Sequence, residues 1–421
     1  MKKVIVQKFG GTSVADTDKI KNVAKTVIRE KNNGNDVVVV VSAMGHTTDH
    51  LVKMAKDLNS NPSAREMDML LSTGECVSIA LLTMAIQAQG YKAVSFNATQ
   101  IGILTENVHS IARIFDIKTD KLRKNLDEGN IIVVAGFQGV TEDGEITTLG
   151  RGGSDTSAVA LAAALNAERC DIYTDVEGVY TTDPRVVPNA SRLEEISYEE
   201  MLELAHAGAN VLHPRSVETA KQYSVPLRVR SSFKLDNMGT LILGVEKMEI
   251  NKPVAGVAAD LSQVRVVVCD IPDTPGEAAT LFGSLAKENV SVDMIIQSYA
   301  RKTSNTNDIA FTINSDDLPR AMEVLEKVKA KLNAADIKID DNIAKVSIIG
   351  AGMIDRPGIA STMFQTLADN GINIRMISTS EIKISCLINK DDAQNAVKAL
   401  HSIFNLESDE IAEVKGTLPD V

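Results

Sequence analysis

The feature that most constrains this chain is an internal duplication. The segment PGEAATLFGSLAKENVSVDMI, beginning at Pro275, recurs as PGIASTMFQTLADNGINIRMI, beginning at Pro357. Pro, Gly, Ala, Thr, Phe, Leu, Ala, Met and Ile fall on matching positions without a gap. Each copy follows a strand-like run (Val264–Cys269 and Lys345–Ile349), opens a helix after Pro-Gly and ends in another strand. Helical patterns at Leu318–Leu332 and Asp391–Phe404 complete the units. This spacing predicts two like βαββαβ modules, with nothing yet said about what they bind.

The first 230 residues or so do not repeat. They alternate strand-like and helix-like segments, the pattern of an α/β layer fold. Val4–Val6 runs into Gly10 and Gly11, and Ile20, Val23, Val27 and Ile28 then share one helical face. Gly34 closes that helix, and Val37–Val41 reads as a buried strand. A long helix is expected over Met67–Gln89, with strands near Tyr91–Phe96, Ile131–Ala135 and Cys170–Asp175. The Asp-Gly in Thr141–Gly144 predicts a hairpin over the sheet. Ala158–Leu165 is helical, and Ser197 with Glu200 forms a capping box for another helix. The regular pattern lapses around Phe233–Asp260. The expected domains are therefore 1–233, a linker at 234–262, and modules at 263–340 and 341–421.

Composition excludes several classes. The formal charge is −12, without the basic balance of a nucleic-acid binder. The longest uninterrupted apolar runs are too short to cross a bilayer, and the N-terminus lacks the apolar core of a signal peptide. The four cysteines show no CxxC spacing and read as buried small hydrophobes in a reducing compartment. The expectation is a cytoplasmic protein. The six histidines show no metal-ligand spacing, no GxSxG elbow occurs, and no metal ligands are assigned.

Three clusters carry candidate chemistry. Lys8-Phe9-Gly10-Gly11-Thr12-Ser13 lies between the first strand and first helix, where backbone N–H groups suit a phosphate and Lys8 could follow a phosphoryl group in transfer. It is not a Walker loop; otherwise it is a tight turn with a surface lysine. Gly150-Arg151-Gly152-Gly153-Ser154-Asp155-Thr156 leads into a helix, either as a capped turn or as a ligand loop with an arginine fork. Tyr173 to Arg185 leaves a strand at its C-terminal end, where open α/β sheets bind ligands. Ser42, Thr47 and Glu75 are further polar residues near chain reversals, each explicable as a cap or surface group.

KFGGTS, VVSAMG, STGE, TLGRGGSDTSA, YTDVEGVYTTDPR and VLHP, in this order, closely resemble the aspartate kinases, and the two Pro-Gly repeats resemble their paired ACT modules. The resemblance spans essentially the whole chain. It implies a three-layer α/β/α amino-acid kinase domain, carbamate-kinase-like, followed by two ferredoxin-like ACT domains. It also implies transfer of the γ-phosphoryl group of ATP, with Mg²⁺, to the β-carboxylate of L-aspartate, the first step toward lysine, threonine and methionine. Residue by residue, Lys8 would stabilise the group in flight, and Gly10 and Gly11 would hold phosphates. Ser42, Thr47, Glu75 and Arg151 would bind aspartate, Arg151 at its α-carboxylate and Glu75 at its ammonium. Gly152, Gly153 and Ser154 would line the acceptor site, with Asp155 orienting the lysine and metal. Thr174, Asp175, Tyr180, Asp183 and Arg185 would hold the nucleotide. Asn210 stands where some relatives have a lysine that meets it.

For the repeats, the resemblance implies inhibition by lysine, threonine or both, bound between modules of two chains in a homodimer or higher oligomer. The expected contacts are Asp273, Gly276, Glu277, Ala278 and Gln297 in one repeat, and Met353, Gly358, Ile359, Ala360, Asn373 and Ile374 in the other. The Pro-Gly pairs are otherwise only helix starts. An internal start at Met248 would yield a shorter regulatory chain. The rival readings are a same-fold kinase acting on glutamate or N-acetylglutamate, and a non-catalytic amino-acid sensor. An oxidoreductase is set aside because GxGxxG is absent from the first strand–helix unit.

Overall fold

The computed structural model describes residues 2–209, 211–247, 252–299, 305–354 and 356–408. Asn210 and Met248 lie outside the described residues. Val37–Val41 shows why the first layer forms: all five valines have zero exposure, and β-branched residues buried on both faces suit a central parallel strand. That strand, Asp36–Val41, lies between Val4–Phe9 and Ile131–Ala135, parallel to both. The full sheet has eight strands, in the order Glu195–Ser197, Thr240–Leu243, Leu227–Ser231, Arg169–Thr174, Val4–Phe9, Asp36–Val41, Ile131–Ala135, Ala93–Phe96. All neighbours run parallel except Leu227–Ser231 with Thr240–Leu243.

Alternation along the strands sends successive side chains to opposite layers. Val6, Val38, Val40, Ile132, Val134 and Ile172 pack against the Gly153–Leu165 helix and its neighbours. Phe9, Val37, Val39, Val41, Val133 and Tyr173 pack against Thr17–Asn32 and Ala64–Gln87. This is the three-layer α/β/α arrangement. The Ala64–Gln87 helix is long and apolar enough to span a bilayer by composition. Here it lies on the sheet, burying Ile79, Leu82 and Ile86 together with the carboxylates of Asp68 and Glu75. The 141–145 turn closes a hairpin of Gln138–Val140 and Ile146–Thr148 within a small second sheet. Several boundaries shift: the long helix starts earlier, at Ala64, the strand expected from Tyr91 starts at Ala93, and the helix expected from Ala158 starts at Gly153.

The repeats form two four-stranded antiparallel sheets, each backed by two helices. In the first, Gln263–Pro272, Val292–Gln297, Thr306–Asn314 and Asp336–Asp340 follow the expected βαββαβ path. Gly276 and Gly358 precede their helices with φ of +106° and +102°, a left-handed conformation that side chains strain to adopt. That requirement explains the duplicated glycine after proline.

The expected linker at 234–262 is corrected. It contains the strand Thr240–Leu243, which belongs to the eight-stranded sheet, and the strand Gly256–Asp260. Gly256–Asp260 pairs antiparallel with Ile343–Ile349, so it supplies the fourth strand of the second module. The second module therefore closes with a strand from before the first one rather than following it as a separate 341–421 unit. The two modules meet through Met294 packed with Ile343, Met376 and Leu387, and through ion pairs of Lys345 with Asp293 and Arg375 with Asp340.

Candidate active site

The parallel strands bring their carboxyl ends to one edge of the sheet, where loops can converge on a ligand. Ser42 N–H donates to the Phe9 carbonyl (3.1 Å), Gly136 N–H to Val41 (3.0 Å) and Ser232 N–H to Thr174 (2.8 Å), tying five strand ends in a set of three and a pair. Lys8 shares a face with Val6, toward the layer holding the Gly153–Leu165 helix. Its Nζ lies 2.6 Å from Asp155 Oδ1 in that helix's first turn, and both side chains are about one-eighth exposed. The two glycine-rich clusters are thus joined by an ion pair. It leaves a cation at the mouth of two turns rather than on the surface.

Close approaches account for several of the glycines. A Cβ on Gly11 would stand 2.8 Å from the Ala43 carbonyl, whereas one on Gly10 would make only ordinary contact with Lys8 Nζ, at 3.6 Å. Gly152 has φ +67°, and a Cβ there would fall 2.2 Å from that of His213. A Cβ on Gly136 would fall 2.8 Å from Ser154 Cβ and Oγ. Gly11 thus packs against backbone, and Gly152 and Gly136 against side chains of the neighbouring turns, so these positions have no room for a side chain.

Glu75 sits on the Ala64–Gln87 helix, 3% exposed. Gly74 lets that helix press on Ala43 and Thr47. One Glu75 oxygen accepts the Ala43 N–H (3.1 Å), while Oε2 is buried with no hydrogen-bond partner among the described residues. Burial pushes its pKa up to about 7, and the backbone donors oppose this only in part. A buried carboxylate oxygen without a donor suits an incoming ammonium. Thr47 opens the next helix, its Oγ1 donating to the Met44 carbonyl (2.6 Å), and Ser42 is half-buried beside it. Arg151 is exposed at the lip, while Gly153 and Ser154 are buried beneath it.

On the other flank, Thr174 Oγ1 donates to Asp175 (3.0 Å). Arg185 forks onto Asp183 through Nε and Nη2, at 3.0 and 2.7 Å. Tyr180 is half-buried and packs against the core of the second repeat module.

Several positioning residues carry no signal in a motif read for chemistry. His213, of VLHP, packs on Gly152; burial lowers its pKa, against the pull of Asp155. Arg215 donates to the Leu149 and Ala112 carbonyls (2.8 and 2.6 Å), tying down the approach to Gly150. Fully buried Asp68 accepts from Thr148 Oγ1 (2.6 Å) and from Ser110 N–H, and contacts His109 Nδ1 (2.9 Å). Nothing local marks Asp68, which shares its helix with two other acids, Glu66 and Glu75.

In the repeats, Asp273, Gly276, Ala278, Gln297, Gly358 and Asn373 are exposed, and Glu277, Ile359, Ala360 and Ile374 are partly so. Asp273 accepts from Asn307 Nδ2 (2.9 Å) and Glu277 from Thr274 Oγ1 (2.9 Å). Met353 departs from expectation. It is 8% exposed in the module core, so only its backbone is left to meet an effector.

The amino acid kinase family model matches residues 3–231, and an ACT domain model matches 264–328 and 346–404. An aspartokinase of Bacillus sp. (strain MGA3) is 55% identical over 403 residues, 96% of this chain and 97% of its own. An aspartokinase of Geobacillus stearothermophilus is also 55% identical, over 98% of this chain and 99% of its own. The crystal structure of E. coli aspartokinase III in complex with aspartate and ADP (R-state) has a TM-score of 0.81 at 29% identity, covering 95% of this chain and 99% of that one. The same enzyme with lysine and aspartate (T-state) has a TM-score of 0.76, with the same identity and coverage. With its lysine held between two glycine turns and its tandem repeat modules, the chain belongs to the aspartokinases of the amino acid kinase family.

Proposed function

We propose that this aspartokinase transfers the γ-phosphoryl group of Mg-ATP to the β-carboxylate of L-aspartate with Lys8 as the moving charge clamp, and that its ACT modules sense lysine, threonine or both. The observation that carries the assignment is the Lys8–Asp155 pair between two glycine-rich turns, with Glu75 buried nearby.

A carboxylate oxygen attacks the γ-phosphorus, the bond to the β,γ-bridging oxygen breaks, and ADP leaves with that electron pair. No proton moves, because the nucleophile is already ionised at neutral pH. The site has only to position the reactants and spread positive charge. Lys8 stabilises the transferred group, Asp155 holds Lys8, and the N–H groups at Gly10 and Gly11 meet phosphate oxygens. Arg151 forks the α-carboxylate and Glu75 meets the ammonium, with Ser42, Thr47, Gly152, Gly153 and Ser154 lining the pocket. Thr174, Asp175, Tyr180, Asp183 and Arg185 hold the nucleotide. Magnesium enters as part of the substrate, carried by phosphate oxygens and water. Among the described residues no group of three or more His, Cys, Asp or Glu gathers, and Asp155 is the carboxylate beside the lysine.

Effector binding between chains is supported by the edge strand Val292–Gln297. Its Ile295 is 52% exposed, and Tyr299 just beyond it is 99% exposed. An unpaired edge with exposed apolar side chains invites a second copy. Hydroxamate trapping of the acyl phosphate, with aspartate and glutamate in parallel and lysine and threonine added, tests the reading. Aspartate-dependent product that falls with effector is expected. Product with glutamate alone refutes the substrate, and insensitivity to both amino acids refutes the sensing.

A further inference from the structure

Between Tyr180 and Asp183 lies Thr181, 2% exposed, and its polar groups are engaged largely by the second ACT module. Its Oγ1 is 2.8 Å from His401 Nε2 and 3.2 Å from the Leu406 carbonyl, and it accepts the Ser191 N–H at 3.1 Å. Its carbonyl accepts the Val257 N–H at 2.7 Å. Farther along the same loop, Ala190 bridges to Glu407, and Ser408 N–H donates to Asn189 (2.8 Å). Val187 and Ala190 are buried in the core of that module.

A hydroxyl donates once and accepts twice. If the Thr181 hydroxyl donates to Leu406, its two lone pairs take the N–H of Ser191 and the Nε2–H of His401. His401 Nδ1 is then the bare acceptor, and it is buried without a hydrogen-bond partner among the described residues. A proton there would have nothing to meet, and burial accordingly lowers the His401 pKa. Every hydrogen-bonding site of Thr181 Oγ1 is used, and a side chain from the helix Ala393–Ile403 supplies one of the bonds.

We propose that Thr181 and His401 are positioning residues for the nucleotide, which makes the second ACT module a structural part of the ATP half of the site. The proposal rests on reading Tyr180, Asp183 and Arg185 as nucleotide contacts. The aspartate half hangs on other elements, the Ala64–Gln87 and Gly153–Leu165 helices, so loosening this junction acts on ATP and spares aspartate.

Steady-state kinetics on the full chain tests this, with Thr181→Val, Thr181→Ser, His401→Ala and His401→Gln, and Arg185→Ala as the control. Thr181→Val keeps the shape and strands the histidine N–H, and a loop that shifts to relieve this must be drawn back when ATP binds, which is expected to cost up to about tenfold in affinity. KM for ATP therefore rises about tenfold in Thr181→Val and His401→Ala, while KM for aspartate stays within about twofold. Thr181→Ser and His401→Gln, which can restore the bond, recover most of the loss. If Arg185→Ala raises KM for ATP and folded Thr181→Val does not, the positioning role is overturned and the nucleotide assignment stands. If Arg185→Ala leaves KM for ATP unchanged, the assignment fails and the proposal with it. Equal rises in both KM values reduce the junction to general scaffolding and also overturn it. Should His401→Ala fail to fold, the Thr181 pair decides.

Discussion

If Glu75 receives the substrate ammonium, aspartate binding must take up the cost of ionising it. In the free protein its carboxyl has a pKa of about 7 because burial disfavours the charged form. An ammonium at the partnerless Oε2 stabilises the carboxylate and returns the pKa toward its ordinary value of about 4.3. Below neutral pH the bound state then holds fewer protons than the free state, so affinity falls with acidity. With those two values, the apparent dissociation constant for aspartate rises about 25-fold between pH 7.5 and 5.5, or about 1.9 kcal/mol, and flattens above pH 7.5. Calorimetric titration of aspartate without ATP isolates the effect, because nucleotide phosphates that titrate nearby are absent. Repeating it at pH 6 in buffers of different ionisation enthalpy should register close to one proton released per aspartate. Glu75→Gln keeps an oxygen for the Ala43 N–H, so it should bind weakly and lose the pH slope. A flat dissociation constant over this range, or the same slope in Glu75→Gln, would refute the reasoning. The same shift has a sign for stability. A carboxyl whose folded pKa is raised binds its proton more tightly in the fold, so its contribution declines as pH rises from the ordinary carboxylate range through about 7.

Lys8→Met removes the charge opposite Asp155, and kcat should fall about 10²–10³-fold with a much smaller change in KM for aspartate; a raised KM with kcat unchanged points to binding alone. Gly152→Ala places a methyl 2.2 Å from His213 Cβ at a left-handed position, so Tm should drop by several degrees and activity should fall with it. A chain ending at residue 233 lacks Thr240–Leu243 and leaves Leu227–Ser231 without its antiparallel neighbour, so it should aggregate more readily than one ending at 247, as judged by size-exclusion recovery. Cys170 is fully buried and Cys386 is pushed up to about 12 by burial, so both thiols should react with disulfide reagents only after denaturation.

Much of this molecule was legible in one dimension because the signals are local. The Pro-Gly duplication marked two modules, since each helix start needs a left-handed glycine of its own. KFGG and GRGG marked the two turns that meet at Lys8 and Asp155, since chain segments can approach this closely only where Cβ is missing. The run of valines marked the central strand. Other features had no local signature, because they depend on what another part of the chain brings alongside. Gly256–Asp260 looks like linker, and only its ladder with Ile343–Ile349 makes it the closing strand of the second module. Met353 sits beside a Pro-Gly turn, yet tertiary packing buries it. Glu75 reads as an ordinary acid, and its raised pKa arises from the sheet and loops that enclose it. Thr181 is one of two adjacent threonines until the last helix folds over it and sets His401 against its hydroxyl. Local conformational preference and glycine sterics were thus written in the sequence. Strand partners, burial and the charge states that burial imposes belong to contacts between distant residues, and only the folded chain decides them.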